Sequence, residues 1–185
     1  MPATTDIRKQ VILVNEQDTA IGSAEKLAAH QQGLLHRAFS IFIFRKRPGK
    51  ESELLLQQRA STKYHSAGLW TNTCCSHPAP GENLIQAAIR RLKEEFNLDI
   101  PELVQVGHFH YIAHFDNGLI ENELDHVLVG WYHKQLFTPN LNEIQAYRWI
   151  GRSELQAELR HRPEQFTPWL KQAFALTEAL ITKQS

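Results

Sequence analysis

Cysteine is scarce in this chain, and the two that occur, Cys74 and Cys75, are adjacent. Adjacent thiols cannot frame a domain with ordinary disulfides, and free thiols suit a reducing cytoplasm. An excess of one charge is also missing, since 20 basic residues balance 20 acidic ones. That balance argues against a general binder of nucleic acid or of acidic membranes. No run approaches the roughly 18 apolar residues of a membrane span. The first eight residues carry no apolar stretch of the kind a signal peptide needs, so none is expected. Repeats and low-complexity segments are absent. At 185 residues the chain predicts a single domain, 1–185, with a sizeable core.

Against these shortages stand ten histidines, many for this length, which point toward metal binding or proton chemistry. One of them, His77, lies two residues after Cys75 in the run Trp70-Thr71-Asn72-Thr73-Cys74-Cys75-Ser76-His77-Pro78. Thiols and imidazoles are nucleophiles, proton carriers and metal ligands.

The patterning predicts α+β architecture with a mixed sheet. Val11 to Val14 reads as a short buried strand, and residues 23–32 as a weak helix broken by Gly33. Residues 36–46 and 53–59 read as a hairpin around the turn signal Arg47-Pro48-Gly49-Lys50. Residues 60–75 have no clear period and read mostly as loop. After Pro80-Gly81, apolar residues Ile85, Ala88, Ile89, Leu92 and Phe96 fall on one helical face. Arg91 and Glu95 sit one turn apart on its flank, and Glu94 points away. Residues 104–114 and 123–133 read as strands joined by Asp116-Asn117-Gly118. A strand at 146–150 and helices at 153–161 and 164–182 complete the pattern, the last with apolar residues at Phe166, Leu170, Phe174 and Ile181.

Three groups of residues could carry chemistry. His30, His36, His77, Glu121 and Glu123 form the first. Glu121 and Glu123, two apart in an extended segment, project to one side and could reach one ion together. Three imidazoles with two carboxylates suit Mn²⁺ or Zn²⁺ better than oxygen-seeking Mg²⁺. Taken singly, each histidine reads more readily as a solvated or hydrogen-bonded surface residue. Lys26, Arg59, Lys63 and Arg91 are the second group, able to converge on an anion or to remain plain surface charges. The third is the thiol pair, of which Cys74 reads more readily as a small buried hydrophobe. Tyr64, Tyr111, Trp70, Trp131 and Trp169 are either core or, for a Trp face, partners for a cation.

Together these stretches resemble the type I isopentenyl-diphosphate isomerase family, a branch of the Nudix superfamily. The resemblance runs from about Glu25 to Trp169. It rests on Glu25-Lys26-Leu27-Ala28-Ala29-His30, Leu35-His36-Arg37-Ala38-Phe39-Ser40, Gln58-Arg59-Ala60, the 70–78 loop, Ala88-Ile89-Arg90-Arg91-Leu92, Ile120-Glu121-Asn122-Glu123 and Pro168-Trp169. A Trp-Thr-Asn-x-x-Cys-x-His-Pro loop paired with Glu-Asn-Glu is specific to that family.

The resemblance implies a Nudix-like mixed β-sheet flanked by helices and interconversion of isopentenyl and dimethylallyl diphosphate. Its site residues follow by position. Cys75 and Glu123 match the catalytic pair, with Tyr111 assisting. His30, His36, His77, Glu121 and Glu123 match the ligands of a tightly held metal. Glu95 matches the glutamate that holds a Mg²⁺ arriving with the diphosphate, which Lys26, Arg59, Lys63 and Arg91 would grip. Trp169 matches the tryptophan facing a developing cation. The implied partner is a small prenyl diphosphate rather than nucleic acid or membrane. A cytoplasmic monomer or small homo-oligomer is expected.

The chain also departs from that family. Ser76 stands where glycine usually follows the catalytic cysteine, and a positive φ there would strain it. His30 and His36 lie one residue closer together than is usual. Against the Nudix hydrolase box, Gly-x5-Glu-x7-Arg-Glu-x-x-Glu-Glu-x-Gly, Glu82, Arg90, Glu94 and Glu95 fit. Ser76 and Asn97 replace the glycines, and Arg91 replaces a box glutamate. Hydrolases use the full carboxylate cluster to gather metal ions and activate water, so this exchange weakens hydrolysis and favours a grip on diphosphate.

Overall fold

A computed structural model describes residues 6–133 and 136–182. Its centre is β3 (His36–Arg47), a run of aromatic and β-branched residues in which His36 and every residue from Ala38 to Phe44 are buried. Such a run fits a strand covered on both faces. Along one edge it pairs in parallel with β8 (Ile120–Trp131), from His36 opposite Glu123 to Phe44 opposite Trp131. Its other edge meets β1 (Gln10–Val14), β6 (Cys74–Ser76) and β4 (Lys50–Arg59), all antiparallel. β2 (Ala20–Glu25) extends β1, while β5 (Trp70–Thr71) and β9 (Ile144–Gly151) extend β4. β7 (Val104–His114) pairs with β8 to complete nine strands among the described residues.

Strand side chains alternate between faces, and the core divides accordingly. Phe39, Ile41, Ile43 and Leu55 pack with Ala87, Ala88, Leu92 and Phe96 of α2 (Leu84–Phe96). On the other face, Phe42, Phe44, Leu54 and Leu56 meet α3 (Arg152–His161) through Leu155 and Leu159. They meet α4 (Leu170–Thr182) through Leu170, Ala173, Phe174 and Ile181. The α+β expectation of a mixed sheet between helices holds.

Four local readings need correction. Residues 23–25 belong to β2, and the short α1 (Lys26–Gln32) begins only after Glu25, whose carboxylate accepts from the Ala28 N–H at 2.9 Å. α2 starts later than Pro80-Gly81, behind Asn83, whose Oδ1 caps the Ile85 and Gln86 N–H groups. The 60–75 stretch is mostly loop, as expected, but it also contributes β5 and the start of β6, too short to show a period. Helix 164–182 is interrupted: a 3-10 turn (Pro163–Gln165) leads to an extended Phe166, and α4 starts at Leu170, beyond Pro168. The interruption lets the Thr167 N–H donate to the Trp70 carbonyl at 3.0 Å, which docks 166–169 on β5.

Gly33 does end α1. Its φ of +62° is left-handed, and a Cβ there would lie 3.2 Å from the Ile120 side chain. Ser76 lies in β6 paired with Phe39 and has no positive φ, so the absent glycine leaves no strain.

Candidate active site

One end of the sheet gathers residues from distant parts of the chain. α1 supplies His30, the first residue of β3 is His36, the residue after β6 is His77, and β8 carries Glu121 and Glu123. One ligand atom from each of the five lies within 4.8 Å of all the others. His30 Nδ1 bonds the Lys26 carbonyl at 2.6 Å, and His36 Nδ1 bonds the Leu34 carbonyl at 2.7 Å. A carbonyl only accepts, so each Nδ1 carries the proton and each Nε2 turns a lone pair inward. Both Nε2 atoms, together with Glu121 Oε2, are buried without a hydrogen-bond partner. Those orphans are nitrogens and a carboxylate oxygen aimed at one point, which fits a divalent cation.

The electrostatics agree with that use. Burial resists charge on His36, but Glu123 at 3.4 Å outweighs it and raises the affinity for a proton; the same field attracts a metal ion. Burial lowers His77 to about 4, so this imidazole is neutral at ordinary pH. Burial also opposes ionisation of Glu121 and Glu123. The adjacent His30 and His65 side chains hold Glu121 down, and His77 and His36 hold Glu123 well below the usual carboxylate range.

Strand parity separates the two thiols. Cys74 turns into the α2 core and is fully buried. Cys75 faces the opposite way and lines a pocket together with Glu123, Tyr111 and Trp169. The Cys75 thiol sits 2.9 Å from Asn72 Oδ1 and accepts from Trp169 Nε1 at 3.2 Å. Burial, aided by Asp125, pushes it up to about 12, so the proton stays on sulfur at neutral pH. The Tyr111 hydroxyl donates to Glu123 Oε2 at 2.5 Å, and its ring lies 5.9 Å from that of Trp169.

Lys26, Arg59, Lys63 and Arg91 all line the same pocket. The Arg59 guanidinium stands 5.6 Å from the Trp169 ring. Burial, reinforced by Lys63, lowers the Lys26 ammonium, a cost that an anion would relieve. Glu95 is placed apart from the five-residue cluster. Its buried carboxylate accepts from Gln57 at 3.0 Å and from Arg91 at 2.5 Å.

Several participants carried no individual sequence signal. Asn72 was visible only as part of the loop motif. Ser40 and Asp125 sit among apolar residues. Ser40 Oγ donates to Asp125 Oδ2 at 2.7 Å, and burial next to Glu123 raises Asp125 well above the ordinary carboxyl range. His65, which bonds Glu121 at 2.7 Å, was indistinguishable from the other histidines.

The residues matching a hydrolase box are engaged differently. Arg90 holds Glu82 at 2.7 Å and Glu94 at 3.2 Å, and Arg91 holds Glu94 and Glu95. Each box carboxylate is thus tied to an arginine.

The profile of the NUDIX domain matches residues 34–170. Isopentenyl-diphosphate Delta-isomerase of Photobacterium profundum is 47% identical over 167 residues, covering 90% of this chain and 92% of that protein. Isopentenyl-diphosphate Delta-isomerase 2 of Photorhabdus laumondii is 49% identical over 161 residues, covering 87% and 88%. In three dimensions, the crystal structure of a Deinococcus radiodurans protein superposes with a TM-score of 0.70. It is 18% identical and covers 90% of this chain and 96% of that one, a likeness of fold. The chain therefore belongs to the Nudix superfamily, and within it to the isopentenyl-diphosphate isomerase family.

Proposed function

We propose that this protein interconverts isopentenyl and dimethylallyl diphosphate. The observation that carries the reading is one pocket lined by a protonated thiol, Cys75, an ionised carboxylate, Glu123, and four cationic side chains. The relatives' names agree with it.

The reaction moves a double bond without net gain or loss of atoms. A proton is added to the terminal alkene carbon, which leaves a tertiary carbocation. A proton is then removed from the neighbouring carbon, and its C–H electrons form the new double bond. Cys75 and Glu123 are the two proton-transfer groups. Tyr111 orients Glu123 and carries a proton at its second oxygen. The Trp169 face attracts the cation by about 1–2 kcal/mol. Exclusion of water is essential, because water would capture the cation as an alcohol. Lys26, Arg59, Lys63 and Arg91 bind the diphosphate and position the five-carbon chain.

A cation held by His30, His36, His77, Glu121 and Glu123, Mn²⁺ or Zn²⁺ by its donor set, would fix Glu123 and lower its proton affinity. Mg²⁺ arriving with the substrate would be held near Glu95. A reducing cytoplasm would keep the two free thiols intact.

Incubating the purified protein with isopentenyl diphosphate and Mg²⁺, and following the allylic methyl signals by proton NMR, tests the proposal. Accumulation of the allylic isomer is expected. Release of phosphate with no allylic product would overturn the reading in favour of hydrolysis.

A further inference from the structure

A metal-binding carboxylate has two oxygens, and something must decide which one faces the ion. In Glu121 the two differ. Oε2 lies 3.3 Å from His30 Nε2 and has no hydrogen-bond partner. Oε1 is taken by His65 Nε2 at 2.7 Å, in a contact where both side chains are about 95% buried. We propose that His65 is a positioning residue: it holds Glu121 Oε1 and so presents Oε2 alone to the cation. This inference rests on the metal-site reading of the five-residue cluster.

The surroundings of His65 are built to hold the ring still. Its ring stacks on Phe115, 4.7 Å between centroids at 27°, and Tyr64 meets it edge-on at 4.8 Å. Its Nδ1 lies 3.3 Å from Ser66 Oγ, which can donate to it when Nε2 carries the proton. Arg59 Nη2 donates to the His65 carbonyl at 3.3 Å, so the backbone is held as well. The next residue, Ser66, has φ of +50°, a left-handed conformation that costs a non-glycine residue free energy. Strain at Ser66 is tolerated where the neighbouring contacts outweigh it, and the buried bond to Glu121 is the strongest of these.

A bound N–H also keeps Glu121 from rotating to chelate through both oxygens. The ion is then left with one oxygen from Glu121, at an angle set by the protein. Outer partners of this type typically change metal affinity about 10–100-fold when removed.

His65→Ala and His65→Gln variants of the full chain, stripped of metal, test the role. Mn²⁺ and Zn²⁺ affinities are measured by competition with a chromophoric chelator, alongside thermal melts of the metal-free proteins. His65→Ala is expected to weaken binding about 10–100-fold, read at temperatures where the metal-free melt shows the variant still folded; the lost buried contact and ring packing should lower that melt. His65→Gln, whose amide nitrogen can donate to the same oxygen, should recover most of the loss. Parental affinity in His65→Ala would overturn the inference. So would a Gln variant as weak as the Ala variant, or affinity losses that simply follow the drop in the metal-free melts across the two variants, which would make His65 a structural prop. Isomerisation is scored separately. A parent that binds Mn²⁺ but makes no allylic product would sink the proposed reaction and leave the role of His65 intact.

Discussion

The indole Nε1–H of Trp169 meets the Cys75 sulfur at 3.2 Å, so the ring assigned to the cation and the thiol assigned to the proton are fastened together. The same N–H lies 3.3 Å from Asn72 Oδ1, the atom that the thiol also contacts. Trp169→Phe keeps an aromatic face but loses this donor. Turnover at saturating substrate should fall about tenfold, the equivalent of one charge-neutral hydrogen bond, with KM changing far less. Steady-state kinetics check this; an unchanged kcat would free the indole N–H from any role in holding the thiol.

Parity in β6 predicts opposite fates for the two cysteines. Cys75→Ala should lower isomerisation about 10²–10⁴-fold or more with the fold intact, as loss of a proton-transfer group does. Cys74→Ala should leave turnover within a few-fold and cost about 1 kcal/mol of stability through a small void in the α2 core. Product formation by NMR and denaturant melts of both variants decide it. A dead Cys74 variant would mean the wrong thiol is assigned.

Glu123 and Tyr111 share a hydrogen bond but should separate by function. Glu123→Gln removes both a ligand and a proton carrier, so metal affinity and turnover are expected to collapse together. Tyr111→Phe should retain metal while turnover drops about 10–100-fold, a loss of one short charge-assisted bond. Metal content after dialysis, read beside kcat, distinguishes the two.

Arg59 is 8% exposed and its Nε lacks a partner, so an anion would complete it. Arg59→Ala is expected to raise KM about 10–100-fold and to leave kcat within a few-fold, the signature of lost uniform binding. A large fall at saturating substrate would show that Arg59 acts in the transition state as well.

Stability should carry a pH signature from the Glu158 clamp, whose two residues do not line the pocket. Arg148 donates to both Glu158 oxygens, at 3.1 and 2.6 Å, and holds that carboxyl below its ordinary range. A depressed carboxyl stabilises the fold above its unfolded pKa, and the gain is lost as pH falls through the folded value. Glu158→Gln should therefore destabilise by about 0.5–1 kcal/mol at pH 7 and by progressively less as pH falls below the ordinary glutamate range. Thermal melts across that range test the sign; a deficit that persists at low pH would point to lost packing instead.

Local order fixed a good deal in advance. The periodicity of 84–96, the aromatic and β-branched run of β3, and the glycine after α1 depend on neighbours in the chain, and they are visible without a fold. The pair Glu121 and Glu123 was visible for the same reason, because a strand repeats every two residues. Likewise, Arg91 and Glu95 are neighbours by helical geometry, and they meet at 2.5 Å. The weaker signals were those of short segments. β5 and β6 are two and three residues long, too few to establish a period, and β2 was hidden because its residues are mostly exposed on both faces.

The amino-acid order by itself determined most of the elements, the motif-bearing residues and, through their resemblance, the family. Tertiary structure alone decided that the Trp169 indole meets the Cys75 sulfur, that Glu95 is tied to Gln57, and that His65 meets one oxygen of Glu121. The physical reason is one of range. Periodicity reports which way a side chain points from its own strand or helix. Which partner it meets depends on strand pairing and loop closure between residues far apart in the chain, such as His65 and Glu121.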